Sequence, residues 1–264
     1  MPHVERAGRS IHHTLDGQGP GVVLVPGLGS GARLFGTLPR RFTRAGFTCA
    51  VMDPVGLPPS GPATAPWTFA DAAADLLAIA ATLPRPVSLV GTSLGGKVAL
   101  TAAAMAPGAV DRLVMLCSSA VQTARSQRIY RWFELLCTET PPMLLGELTA
   151  PFLFGATFLA ERGTMVDDIV RSTKPSPESL VLMREQCAAL RTFDGSAMAT
   201  GCHVPTLCLG GAEDTLTLPA EVEASARLFP RAQHHCLPRA GHSLLLESAE
   251  AFDRVAAFLR HPAD

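Results

Sequence analysis

Val87-Ser88-Leu89-Val90-Gly91-Thr92-Ser93-Leu94-Gly95-Gly96-Lys97-Val98-Ala99-Leu100 is the stretch on which the fold turns. Val87 to Val90 is a short apolar run of the kind that forms a buried strand, and from Leu94 to Ala106 the chain is rich in Ala, Leu and Val, as a helix requires. Between them stands only Gly91-Thr92-Ser93-Leu94-Gly95, a Gly-x-Ser-x-Gly pattern. That pattern puts a serine at a sharp strand-to-helix corner, where the glycines let neighbouring backbone approach and leave the hydroxyl at the end of the sheet. The motif is short, and a plain structural turn is the competing reading. Its placement between a strand and a long helix is what favours a reactive serine.

Working outward, Val22 to Val25 predicts a buried parallel strand that feeds the glycine-rich loop Pro26-Gly27-Leu28-Gly29. Phe47 to Met52 predicts a second strand, closing at Asp53-Pro54-Val55-Gly56. Further strands are expected at Leu113 to Cys117, at Val204 to Leu209 and near Gln233 to Leu237. Helices are expected at Phe69 to Leu83, with Thr68 as N-cap, and at Ala251 to Leu259, where the apolar side chains recur at helical spacing. Strands alternating with helices imply a mainly parallel sheet with right-handed crossovers, hence an α/β fold. Between Ser119 and Gly201 the alternation stops and the chain turns helical, most clearly at Arg125 to Cys137 and Ser179 to Leu190. Residues 120–200 therefore read as a helical cap inserted into a core formed by 1–119 and 201–264.

The bulk numbers agree with one such domain. The chain has 264 residues, 47% of them hydrophobic and 17% charged, enough apolar side chain to cover a sheet on both faces. A net charge of −1 without like-charge runs excludes the basic footprint of a nucleic-acid binder. Met1 to Ser10 lacks the apolar centre of a signal peptide, and Pro141 to Ala160, the most apolar stretch, is broken by Glu147 and Pro151. Seven cysteines without CxxC spacing suit a reducing compartment. The expectation is a cytoplasmic protein acting on a small molecule as a monomer or homodimer, with neither nucleic acid nor membrane as partner.

A serine hydroxyl is a weak nucleophile at neutral pH and needs a base within hydrogen-bond reach and a third group to orient that base. His242, in Ala240-Gly241-His242-Ser243 just after the last expected strand, is the candidate base. The other histidines fit less well: His3, His12 and His13 precede the core, His203 sits before a strand, His234 and His235 lie in one, and His261 is terminal. Asp214, in Gly210-Gly211-Ala212-Glu213-Asp214, is the candidate acid, at the carboxyl end of a strand, where sites of open α/β sheets gather. Glu213 is its rival; Asp53 also ends a strand but precedes the serine, and a capping role suits it better. Two backbone donors are needed for an oxyanion hole, and Leu94 N–H and Leu28 N–H are the candidates. The loop Gly27 to Gly31 lacks the Gly-x-Gly-x-x-Gly spacing and the Gly-Lys-Ser/Thr of nucleotide binders.

Taken in order, Val25-Pro26-Gly27-Leu28-Gly29, Asp53-Pro54-Val55-Gly56, Gly91-Thr92-Ser93-Leu94-Gly95-Gly96, Gly211-Ala212-Glu213-Asp214 and Gly241-His242 resemble the α/β-hydrolase superfamily, in its capped, cofactor-free branch of esterases, lactonases, thioesterases and carbon-carbon bond hydrolases. The resemblance implies an α/β-hydrolase fold: a mostly parallel eight-stranded sheet, helices on both faces, and the cap after the sixth strand. It also implies a further strand or two around Ser10 to Leu15. Pro26-Gly27 replaces the His-Gly of many relatives in the oxyanion loop, and a serine at position 93 argues against the dehalogenase and epoxide-hydrolase branches, which carry aspartate there. The implied reaction is two-step acyl transfer without metal or organic cofactor. Met143, Phe152, Phe154 and Phe158, with Leu144 and Leu153, are candidates to line an apolar acyl pocket, and packing of the cap against itself is the competing reading. The rival functions are a carbon-carbon hydrolase or cyclase using the same three residues, and a ligand-binding protein on a hydrolase scaffold.

Overall fold

The structure is a computed structural model that describes residues 2–260; His261 lies outside them. The apolar runs become strands β1 (His3–Arg6), β2 (Arg9–Gly17), β3 (Gly21–Val25), β4 (Thr48–Met52), β5 (Val87–Thr92), β6 (Arg112–Leu116), β7 (Thr206–Gly211) and β8 (Ala232–Leu237). They form one eight-stranded sheet in the order β1-β2-β4-β3-β5-β6-β7-β8. The first three in that order pair antiparallel, β1 with β2 and β2 with β4, and every later pair is parallel. The strand expected around Ser10 to Leu15 is β2, and β1 is the second one.

The helices follow from the same alternation: α1 (Leu38–Arg44), α2 (Phe69–Ala80) and α3 (Leu94–Met105) within the first half, α9 (Pro219–Ala226), α10 (Leu244–Glu247) and α11 (Ala249–Arg260) in the second. Between β6 and β7 lie only helices, α4 (Ala124–Glu139), α5 (Pro142–Leu153), α6 (Ala156–Ser172), α7 (Pro177–Leu190) and α8 (Ser196–Thr200). Thr68 caps α2 by accepting the Asp71 N–H at 3.0 Å. Among the described residues no helix is long and apolar enough to cross a membrane.

Strand pleating sorts the core into two layers. Val23 and Val25 of β3 and Leu89 of β5 pack with Leu76 and Ile79 of α2 and Val98 of α3. Val22 and Leu24 of β3 face the other way, with Val90, Val114 and Leu207, onto Phe42 of α1 and Phe252, Val255 and Leu259 of α11. All five residues of β3, β4 and β6 are buried, which explains why they read as unbroken apolar runs rather than alternating ones. A sheet covered on both faces leaves the carboxyl ends of its parallel strands as the place where loops can assemble a site.

Candidate active site

Ser93 follows β5, Cys117 follows β6, Asp214 follows β7 and His242 follows β8, and these four strands are consecutive in the sheet. Side chains far apart in the chain are thereby delivered to one row of strand ends. Ser93 sits at φ 54° and ψ −118°, a left-handed conformation that a residue with a Cβ adopts at a cost of about 1–3 kcal/mol. Its N–H donates to Leu116 O at 2.8 Å, which ties the corner to β6. The glycine after it is required by space: a Cβ at Gly95 would lie 2.2 Å from Val25 O, so only glycine lets α3 start this close to β3.

The acid and base meet below the surface. His242 Nδ1–H donates to Asp214 Oδ2 at 2.8 Å, with the two residues 8% and 2% exposed. Asp214 is itself fixed, because its Oδ1 accepts the N–H groups of Leu216 at 2.8 Å and Thr217 at 3.0 Å. Burial disfavours the imidazolium, yet the Asp214 carboxylate, with Glu247 behind it, outweighs burial and holds His242 above the usual histidine range. Among the described residues no hydrogen bond within 3.5 Å joins Ser93 Oγ to His242. The structure brings acid to base and sets the serine after β5, on the same row of strand ends but two strands from β7; in unliganded sites the nucleophile–base bond is often long and tightens on substrate binding.

Glu213, the rival acid, is turned elsewhere. Its Oε2 accepts the Thr157 N–H at 2.7 Å and its Oε1 the Thr157 hydroxyl at 2.5 Å, bonds that hold its carboxyl below the usual range. Asp53 takes a capping role: its Oδ1 accepts the N–H of Ala32 at 2.6 Å, at the start of the 3-10 helix Ala32–Phe35, while Oδ2 accepts His12 Nδ1–H at 2.7 Å. His203 is exposed before β7, and His234 and His235 lie in β8.

The loop 26–31 stands against the serine, since a Cβ on Gly27 would lie 3.7 Å from Ser93 Cβ. Leu28 N–H donates to no group among the described residues. Leu94 N–H opens α3, where first-turn N–H groups have no partner within the helix and the dipole favours negative charge. A cavity of about 20 Å³ lies under this loop, lined by Val25, Pro26, Gly27, Leu94, Trp67 and Gln186 among others.

The four apolar residues expected to line a pocket divide. Phe154 and Phe158, 6% and 9% exposed, stack at 5.8 Å inside a cluster of the inserted helices with Ala150 and Val166. Met143 and Phe152 on α5 are 66% and 37% exposed, and the Phe152 ring meets Trp132 at 4.8 Å. None of the four borders the cavity beneath the loop.

Three residues beside the site carry no motif that marks them in the sequence. Glu247 accepts the N–H groups of Gly241 at 2.7 Å, Ser243 at 2.9 Å and Gly155 at 2.9 Å, so it grips both neighbours of His242 and one residue of the inserted segment. Gln186 reaches the loop at Gly29 from α7. Cys117, at φ 47°, brings its Sγ to 3.6 Å from Gly241 O. One ligand atom each of Cys117, Asp214 and His242 lie within 4.8 Å of one another, a spacing a metal could use. Burial, followed by the Asp214 charge, pushes the Cys117 thiol far above its ordinary value.

A sequence model described as the alpha/beta hydrolase family matches residues 22–257. A RutD protein of Variovorax paradoxus, named as a carbamate hydrolase, is 30% identical over 247 residues, covering 92% of this chain and 92% of its own. The human serine hydrolase BPHL is 27% identical over 266 residues, covering 94% of this chain and 82% of its own. Among solved structures, the enol-lactonase of Burkholderia xenovorans LB400 superposes with a TM-score of 0.87 at 22% identity, covering 98% of this chain and all of the other, a likeness of fold.

Proposed function

The chain belongs to the alpha/beta hydrolase family, and from that premise we propose that it is a serine hydrolase that cleaves an ester-type bond, in a carboxylic ester, lactone or thioester, through an acyl-enzyme on Ser93. The observation that carries this reading is the buried hydrogen bond of 2.8 Å from His242 to Asp214, on the same row of strand ends as a serine held at φ 54°. A histidine so oriented has its Nε2 free to take a proton. Names among the relatives point to the same bond class, with a carbamate in one and esters in the pimeloyl-[acyl-carrier protein] methyl ester esterase of Nitrosomonas europaea, 26% identical over 260 residues.

In the proposed cycle Ser93 Oγ attacks the carbonyl carbon while His242 Nε2 takes its proton. Asp214 stabilises the imidazolium and keeps the other ring nitrogen protonated. The oxyanion receives the N–H groups of Leu28 and Leu94, each worth about 10²–10³ in rate in comparable sites. His242 then protonates the leaving group, and a water activated by the same ring hydrolyses the acyl-enzyme. Residues 120–200 act as the cap over this site, with exposed apolar side chains of α5 such as Met143 and Phe152 available to an acyl chain and Phe154 and Phe158 serving its internal packing. The test is a panel of p-nitrophenyl esters, lactones and acyl thioesters with product analysis. Turnover of at least one class, lost in Ser93→Ala, supports the proposal; activity unchanged in Ser93→Ala defeats it, and cleavage of a diketone with no ester turnover would move the protein to the carbon-carbon hydrolases.

A further inference from the structure

Helix α7 meets Gly29 of the oxyanion loop through three side chains. Gln186 Oε1 accepts the Gly29 N–H at 2.8 Å, and Ser179 Oγ donates to Gly29 O at 2.7 Å. Met183 lies between them on the same face, so close that a Cβ on Gly29 would fall 2.0 Å from its Cγ. Positions 179, 183 and 186 are spaced four and three apart, as residues on one face of a helix must be. Both polar members are buried, Gln186 at 1% and Ser179 at 7% exposure. A glutamine in such surroundings costs free energy unless its amide is used, and here the acceptor is spent on the backbone of a distant loop rather than on its own helix.

Within the loop Ser30 N–H donates to Gly27 O at 3.3 Å and Ser30 Oγ to Leu28 O at 3.1 Å, but the contacts of α7 are the ones that tie Gly29 to another element. Gly29 is in the left-handed region at φ +62°, and beneath its neighbours Pro26 and Gly27 lies the cavity of about 20 Å³ that Gln186 also borders. At the far end Asp53 holds Ala32 N–H. Two polar anchors thus hold the loop just after Leu28, Gln186 with Ser179 at the adjoining Gly29 and Asp53 at Ala32.

We propose that Gln186, assisted by Ser179, is a positioning residue for the oxyanion donor Leu28, so that two side chains of α7 set the catalytic loop. This rests on the serine hydrolase reading of the same site. Two backbone atoms of Gly29 are held at once, N–H and C=O, which fixes the orientation of both peptide planes that meet at its Cα. Removing the acceptor from Gly29 N–H frees the Leu28–Gly29 peptide plane; the Leu28 N–H belongs to the plane before it, joined through Leu28 Cα, and its aim at the oxyanion loosens once Leu28 loses a fixed neighbour.

The test uses the full chain with a p-nitrophenyl ester that it turns over. Gln186→Met keeps the side-chain length without a comparable acceptor, Ser179→Ala removes the second bond, and Ser179→Thr restores the hydroxyl. Ser176→Ala is the control, because Ser176 caps α7 by accepting Ser179 N–H and touches no part of the loop. Gln186→Met is expected to lower kcat by about 10–100-fold, as displacements of about 1 Å in a reacting geometry do, with KM within about twofold. Affinity for a trifluoromethyl ketone, whose adduct places an oxyanion in the hole, should fall in proportion to kcat/KM. Ser179→Ala should lower kcat less and Ser179→Thr recover it, while Ser176→Ala lowers the melting temperature and leaves kcat unchanged. A Gln186→Met protein with wild-type kcat, or a loss equally large in Ser176→Ala, overturns the proposal. Should Gln186→Met fail to fold, the Ser179→Ala and Ser179→Thr pair decides, equal kcat in both counting against it. Full activity in Ser93→Ala would instead defeat the underlying function, a distinct result.

Discussion

Asp214→Asn separates the orientation of His242 from its mere presence. In the wild type, Asp214 Oδ1 accepts two backbone N–H groups, from Leu216 and Thr217, and Oδ2 faces His242 Nδ1. An asparagine in that position has one carbonyl oxygen and one NH₂, and the two backbone donors claim the oxygen. The NH₂ must then face Nδ1 of His242, which becomes an acceptor, and the ring carries its proton on Nε2 instead. A ring protonated on Nε2 cannot take the proton of Ser93. The same exchange in the serine protease triad lowers kcat by about 10⁴, which corresponds to about 5.4 kcal/mol of transition-state stabilisation. The assay is kcat/KM on an ester substrate with circular dichroism to verify the fold. Glu213→Gln, which loses bonds only to Thr157, is expected to stay within a few-fold of wild type. A loss below tenfold in Asp214→Asn, or a collapse in Glu213→Gln, would refute the reasoning.

Two further outcomes follow from charges near the site. Asp53→Ala removes the acceptor for Ala32 N–H and for His12 in a buried setting, and breaking a buried pair costs about 3–5 kcal/mol, or about 6–20 °C in melting temperature for a chain of this size; calorimetry showing a drop under about 2 °C would contradict the anchoring role. Because His242 must be neutral to act as base and Asp214 raises its proton affinity above the ordinary 6.5, kcat/KM should rise with pH with a midpoint above 6.5. A pH–rate profile whose ascending limb lies at or below that value would show that His242 is not the titrating base.

The fold was legible because its signals are local and strong. Runs such as Val22 to Val25 and Val87 to Val90 are buried on both faces, and no exposed side chain interrupts them. Strand ends were less so: the run read as Leu113 to Cys117 closes at Leu116, because Cys117 turns into the left-handed region at φ 47°. Helix α1, seven residues long, and α9, opened by Pro219, leave no clear mark in the sequence, because short helices held by tertiary contacts show little periodicity. The edge strand β1 has half-exposed alternation over four residues and is recognisable only through its partner β2.

Within the site, legibility depended on chemistry rather than on proximity. Ser93, His242 and Asp214 stand in glycine-marked turns after strands, and residue type and chain order suffice to nominate them. That Asp214 and not Glu213 meets His242 depends on one residue of turn geometry, which composition does not encode. Glu247 and Gln186 act on backbone groups, through carboxylate and amide contacts at sequence separations as large as 157 residues, and nothing in their neighbourhood distinguishes them from surface polar residues. Phe154 and Phe158 show the converse, since two aromatics four residues apart fit equally a pocket wall or a packed core.

The most direct measurement is covalent capture by a fluorophosphonate followed by peptide mass spectrometry. One adduct is expected, on the peptide carrying Ser93, formed faster as pH rises and abolished in Ser93→Ala. An adduct on any other residue, or labelling that survives in Ser93→Ala, would contradict it.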